Sequence, residues 1–184
     1  RQTVNRICRE TLAPRAAEMD RTGEFPWDIL REFAQAGLTS MFFPVEYGGL
    51  GKDLITSTMV VEEIAKCNTA TAHTFTGIAS SRLPLLLAGT DEQKRRYMPR
   101  LIREAAPTCL SITEPNAGSD VAGMETRAVR DGDSYVLNGR KCFATNGSVA
   151  ALYFIFAVTE PGAGARGISC FLVERGTRGL RPGR

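Results

Sequence analysis

A chain of 184 residues with 43% hydrophobic and 23% charged residues has the composition of an ordinary globular protein, enough for one large or two small domains with a buried core. Its 23 basic and 20 acidic residues give a net charge of +3 and are interspersed, so no basic stripe argues for nucleic acid or a membrane surface; a small anionic ligand stays open. The five cysteines (Cys8, Cys67, Cys109, Cys142 and Cys170) are odd in number and never in a C-x-x-C pattern, which argues against a disulfide scaffold or a zinc site, and no apolar run approaches the ~20 residues of a membrane span.

The N-terminus has neither an apolar h-region nor transit character, and the chain opens on Arg1 rather than Met, which leaves room for a removed leader or a few helical residues. Val4, Ile7, Cys8 and Leu12 recur at helical spacing and predict an amphipathic helix to about Met19, kinked or restarted at Pro14. Pro26 suits the first turn of a second helix whose apolar face is Ile29, Leu30, Phe33 and Ala34, with Gly37 as the stop. Next comes VEYGGLG, which lacks the Lys-Ser/Thr of a P-loop and the strand context of a dinucleotide fingerprint, so it reads as a structural turn. A third helix is expected from Leu54 to about Cys67 and a fourth from Thr71 to Ala88, with Phe75, Ile78, Ala79, Leu83 and Leu86 along one stripe. His73 has no second ligand at metal spacing and reads as structural. Gly89 ends the fourth helix, and Thr90 with Gln93 forms a capping box for a fifth, bent at Pro99, with Lys94, Arg95 and Arg96 on its solvated face.

After Ala106-Pro107 the period changes from helical to strand-like. Thr126 to Arg130, Ser134 to Asn138, Lys141 to Ala144, Leu152 to Thr159 and Ile168 to Val173 read as strands separated by Gly-containing turns, which predicts an antiparallel meander or barrel. The expected organisation is α+β: an all-helical domain over 1–106, then an antiparallel β-barrel-like domain over 107–184.

The most informative stretch is Thr108 to Gly147. Cys109 to Thr113 is a short apolar run that breaks at Glu114-Pro115 into a loop of Asn116, Ala117, Gly118, Ser119 and Asp120. Such a loop offers N–H groups, a glycine that permits close approach, and the hydroxyls of Thr113 and Ser119, a set suited to a planar heterocycle with mixed edges or to a phosphate. The second half ends in Thr145-Asn146-Gly147, a hairpin-turn signal, with the aromatic Phe143 two residues before a hydroxyl.

Together these residues resemble the acyl-CoA dehydrogenase family. TEPNAGSD is similar to its flavin loop, T-E-P-x-A-G-S-D, and LNGRKCFATNG to its second flavin segment, L-N-G-x-K-x-[WF]-I-T-N; VEYGGLG also resembles a family turn, and the likeness covers almost the whole chain. The resemblance implies an FAD enzyme that removes the proton alpha to an acyl-CoA carbonyl while hydride leaves the beta carbon for the flavin. The product is a trans-2-enoyl-CoA, as in fatty-acid β-oxidation, and electrons pass to an electron-transfer flavoprotein. Carried over by position, Leu110, Ser111, Ile112, Thr113 and Thr145 bond the flavin ring edge, Phe143 packs on the ring with Ala144 beside it, and Gly118 and Ser119 line the flavin and the CoA thioester end, Ser119 also touching substrate. Two residues depart from the pattern: Asn116 stands for the usual Gly and Ala144 for the usual Ile, which leaves a smaller side chain near the flavin.

The family continues into a C-terminal helical domain that carries the general-base carboxylate and the oligomer contacts. The resemblance therefore implies that this chain corresponds to the first half of such an enzyme, that the base lies beyond Arg184, and that the 184 residues alone are inactive. It also implies a homotetramer or homodimer when complete, in the cytoplasm or, in a eukaryote, the mitochondrial matrix. Glu114 and Asp120, the carboxylates within the first motif, read as structural, Asp120 as a cap for the following loop. An oxygen-using oxidase of the same fold, or a non-catalytic acyl-CoA-binding homologue that has lost its base, would carry the same motifs.

Overall fold

The computed structural model describes residues 1–104 and 106–183 and divides the chain into two compact units, Arg1–Ala106 and Pro107–Arg184. The first is helical: α1 (Gln2–Ile7), α2 (Ala16–Thr22), α3 (Trp27–Gln35), α4 (Leu54–Cys67), α5 (Thr69–Ser81), α6 (Leu83–Ala88) and α7 (Asp91–Glu104). Between α1 and α2 the backbone stays helical through Pro14, because a π turn over Cys8–Leu12 and a 3-10 turn over Ala13–Arg15 absorb the ring. Ala13 N–H reaches back to Cys8 O, which widens the ladder just where Pro14 has no donor. Val4, Ile7, Leu12, Ile29, Phe33, Ile64, Phe75 and Ile78 share one core in which Phe33 meets Phe75 edge to face at 5.6 Å. Each such side chain stabilises the fold by about 1.5–3 kcal/mol on burial.

Caps mark the helix starts. Asp53 and Asn68 each accept a backbone N–H at 2.7 Å, from Thr56 and Thr71, and Thr90 and Gln93 exchange the reciprocal pair of a capping box. The fourth helix expected from Thr71 to Ala88 is instead two, α5 and α6, parted at Arg82. Pro84 cannot give the N–H that would continue the ladder from Ser80, and the chain turns there.

The VEYGGLG turn is satisfied from within. The N–H groups of Gly48, Gly49, Gly51 and Lys52 go to the carbonyls of Val45, Pro44, Phe43 and Met41. A turn whose donors are already taken is no phosphate cradle. Gly48 and Gly51 hold φ of +93° and +58°, and a Cβ on Gly49 would lie 2.1 Å from Phe43 O.

The second unit holds β1 (Thr108–Ser111), β2 (Arg127–Asp131), β3 (Ser134–Asn138), β4 (Leu152–Val158) and β5 (Ile168–Glu174). Its sheet corrects the antiparallel expectation. β4 is central: β5 pairs antiparallel along its whole length, while on its other side β1 runs parallel to it at 152–155 and β2 parallel at Val158. Among the described residues β2–β3 is the tight hairpin, turning through Gly132 at φ +58°. The result is a mixed sheet that is not closed into a barrel among the described residues. Lys141 to Ala144 is not a strand, because Phe143 takes φ +51°, outside the extended region. Asn146-Gly147 makes no hairpin either; the turn feeds β4, whose neighbours lie elsewhere in the chain.

Gly49→Ala is expected to lower stability of the helical unit by about 1–3 kcal/mol, as overpacking against a fixed carbonyl does. Urea unfolding followed by far-UV circular dichroism checks this.

Candidate functional site

The two motif segments meet along the edge of β1 that faces away from β4. Residues 141–147 run beside β1 in the opposite direction, with Cys142 N–H bonded to Thr113 O at 2.9 Å and the Asn146 amide reaching Thr108 O at 3.4 Å. Next to the Cys142–Thr113 contact, at the end of this run, lies an ion pair: Lys141 Nζ donates to Glu114 Oε1 at 2.7 Å and to Ile112 O at 3.0 Å, with the side chains only 10% and 3% exposed. Glu114 also accepts the backbone N–H groups of Glu125 at 2.5 Å and Thr126 at 3.0 Å, and its own main chain bridges to Ala117 in both directions.

Burial alone would push the Glu114 carboxyl up. Lys141, Thr126 and the two backbone donors outweigh it and bring the group down to about 2. A carboxylate so fully bonded and so weakly basic is a brace, not a general base. Asp120 opens the single turn Val121–Gly123, but its side chain makes no capping bond; Gly123 N–H goes to the Asp120 carbonyl instead.

On this brace the predicted site residues fall into two groups. Ser111 is 5% exposed and shares a hydrogen bond with Cys109 Sγ at 3.4 Å, so its hydroxyl turns inward. Ile112 packs with Ala117, Met124 and Val158, and Ala144 packs against Cys109, Ala150 and Tyr153. Ser111 is buried, so only its backbone can line a surface, whereas Ile112 and Ala144 anchor the segments and stay half-buried. Leu110, Thr113 and Thr145 are half-buried at the edge, and Gly118 and Ser119 are exposed on the loop.

Phe143 is the outlier. Its ring is 91% exposed, and the residue holds φ +51°. A non-glycine residue in that region costs of order 1–3 kcal/mol, and here the strain lifts a large apolar ring out of the core instead of into it. Gly118 is the second sign. It has no positive φ, and a Cβ there would meet nothing within 4 Å, so the chain itself does not require glycine at that position. An unpacked aromatic face and an open glycine on one braced surface fit a planar ligand that approaches the backbone closely. The brace is what sequence reasoning missed: Lys141 lies 27 residues from Glu114, and neither residue type nor spacing pairs them in advance. Among the described residues no group of His, Cys, Asp and Glu is arranged to hold a metal, and no helix is long and apolar enough to cross a membrane.

Two family models match the chain: acyl-CoA dehydrogenase, N-terminal domain, over residues 1–105, and acyl-CoA dehydrogenase, middle domain, over 109–184. The chain belongs to the acyl-CoA dehydrogenase family, whose cofactor is FAD. It is 46% identical over 180 residues to cyclohex-1-ene-1-carbonyl-CoA dehydrogenase of Syntrophus aciditrophicus (strain SB), covering 97% of this chain and 44% of that protein. Among solved structures it resembles butyryl-CoA dehydrogenase from Megasphaera elsdenii, with a TM-score of 0.90 and 34% identity over 97% of this chain and 48% of that one. It also resembles a chain in the structure of the electron transferring flavoprotein of Acidaminococcus fermentans, with a TM-score of 0.94 and 35% identity over 100% of this chain and 48% of that one. The chain thus spans about half the length of the relatives it matches.

Removing one partner of the brace is expected to destabilise the β unit by about 3–5 kcal/mol in Lys141→Met, where a buried carboxylate is left unpaired, and by less in Glu114→Gln. The pH dependence has a definite sign. A carboxylate depressed from 4.5 to about 2 contributes stability that is complete above about 4.5 and is lost as pH falls towards 2. Acid titration of the melting temperature should show a steeper fall in this window for the wild type than for Glu114→Gln.

Proposed function

We propose that this chain supplies the flavin-holding part of an FAD-dependent acyl-CoA dehydrogenase, which converts an acyl-CoA thioester to its trans-2-enoyl product and passes the electrons to an electron-transfer flavoprotein. The observation that carries this reading is Phe143, an apolar ring 91% exposed on a strained backbone beside the open edge of β1. Bound FAD would supply the hydride acceptor for the substrate's beta carbon. Phe143 would lie against the isoalloxazine ring, the backbone of Leu110 to Thr113 along its polar edge, and Ala144 beside it. Gly118 would let the loop backbone come close, and Ser119 would offer its hydroxyl where flavin and the thioester end meet. The Thr145 hydroxyl would donate to the ring where electron density rises on reduction, and so favour the reduced state.

The base is a separate matter. The alpha proton is weakly acidic, so its removal calls for a carboxylate shielded from water and raised in pKa. Glu114 is the opposite, and Asp120 and Glu125 lie exposed on the surface. We assign the base to a part of the protein other than this stretch. Fatty-acid β-oxidation is the setting this chemistry suits, and the complete enzyme is expected to be an oligomer.

Three substitutions in the holoenzyme test the reading. Phe143→Ala should release FAD on gel filtration, read as the loss of protein-bound absorbance near the flavin band. Gly118→Ala should weaken FAD retention in the same assay while leaving the flavin-free melting temperature unchanged or slightly raised, since an alanine loses less unfolded-state entropy. Thr145→Ala should keep the flavin but slow its bleaching by saturating acyl-CoA in stopped flow. FAD retention unchanged in both Phe143→Ala and Gly118→Ala would remove the flavin surface from this part of the chain.

A further inference from the structure

Cys8 opens the π turn after α1 and Cys67 closes α4, yet the fold brings the two together. Cys8 is buried in the helical core, the half-buried Cys67 packs against that core, and the two thiols share a hydrogen bond. Both are free. A disulfide forms only between cysteines that the backbone already brings close, and this pair meets that condition across two different helical segments.

Cys67 also has a path to solvent. It lines an open cavity of about 370 Å³ together with Ala16, Ala17, Asp20, Asn68 and Ala70, so small side chains leave room at its approach, and Cys8 is not among the lining residues. Burial, with the Cys67 thiol and the Glu63 carboxylate nearby, pushes the Cys8 thiol up to about 12, so it keeps its proton. The pair is asymmetric: one thiol is reached from the cavity and the other waits behind it. Among the described residues no third ligand joins them to hold a metal.

We propose that Cys8 and Cys67 form an oxidation site, at which a hydroperoxide entering the cavity converts two thiols into a disulfide that clips the Cys8–Leu12 turn to the end of α4. Cys67 gives up its proton and its sulfur attacks the peroxide; an S–O bond forms, the O–O bond breaks, and the departing oxygen leaves as water with hydrogen peroxide, or as an alcohol with an organic hydroperoxide. Cys8 Sγ then attacks the sulfenic acid; the S–S bond forms, the S–O bond breaks, and water carries off the Cys8 proton. The two thiols lose two electrons and two protons, and the peroxide is reduced. The inference stands on the helical unit and is independent of the flavin surface.

The test treats the holoenzyme with hydrogen peroxide, alkylates it in denaturant and maps tryptic peptides by mass spectrometry. The expected product joins peptide 7–9 to peptide 67–82, lighter by two hydrogens than the two halves and separated again by dithiothreitol. In Cys67→Ser, Cys8 should stay a thiol and be alkylated in full, because the residue that meets the oxidant is gone. In Cys8→Ala, Cys67 should stop at a sulfenic acid that dimedone traps; if this buried substitution does not fold, the wild type and Cys67→Ser decide the matter. The proposal is overturned if the wild type gives no 7–9/67–82 linkage while Cys67 runs on to sulfinic acid, if Cys67 links to a different cysteine, or if Cys8 is oxidised as fast in Cys67→Ser as in the wild type.

Discussion

The candidate site depends on one ion pair. Glu114 and Lys141 tie together three stretches that no strand pairing joins: the loop after β1, the residues leading into β2, and the segment that carries Phe143. In a low-dielectric interior such a pair brings little net stability over an apolar filling, because each charge must first leave water. What it provides is position. With three donors to the carboxylate and a second acceptor for the ammonium, few other arrangements of these loops satisfy the same groups. The same saturation removes Glu114 from the chemistry, since a carboxylate held ionised this strongly has little appetite for a proton.

Around the brace, side chains divide between anchoring and presenting. Ser111 turns inward and the half-buried Ile112 and Ala144 pack against neighbouring clusters, while Phe143 turns out at φ +51°. The contrast between two glycines makes the same point. Gly49 is required by its own chain, because the Phe43 carbonyl occupies the space of a Cβ, whereas Gly118 has open space in front of it. The first belongs to folding and the second to whatever approaches the loop.

Much of this was legible in the residues. Helical spacing located α3, α4 and α7, the Thr90/Gln93 box was read directly, and the change of period after Pro107 separates helix from strand. The misses share a cause: local pattern fixes what a segment is, but not what it meets. The apolar run at β1 and the strand-like period of β2 and β4 carry no direction, so their parallel pairing could not be foreseen. Lys141 to Ala144 looks extended by composition and departs from it at a phenylalanine, a residue that seldom takes positive φ. The α5–α6 break could have been read from Pro84, but the apolar stripe ran through it. The motif residues themselves were found by resemblance; the pairing that holds them is tertiary.

The central claim is that the braced edge of β1 is the surface that receives the flavin. Titration of FAD into the isotopically labelled protein, followed by backbone amide chemical shifts, tests it residue by residue. The account predicts shifts concentrated at Leu110 to Thr113, Gly118, Ser119 and Phe143 to Thr145, with the Gly48–Gly51 turn silent. Shifts centred on that turn, or none along β1 and the Phe143 loop at saturating FAD, would contradict it.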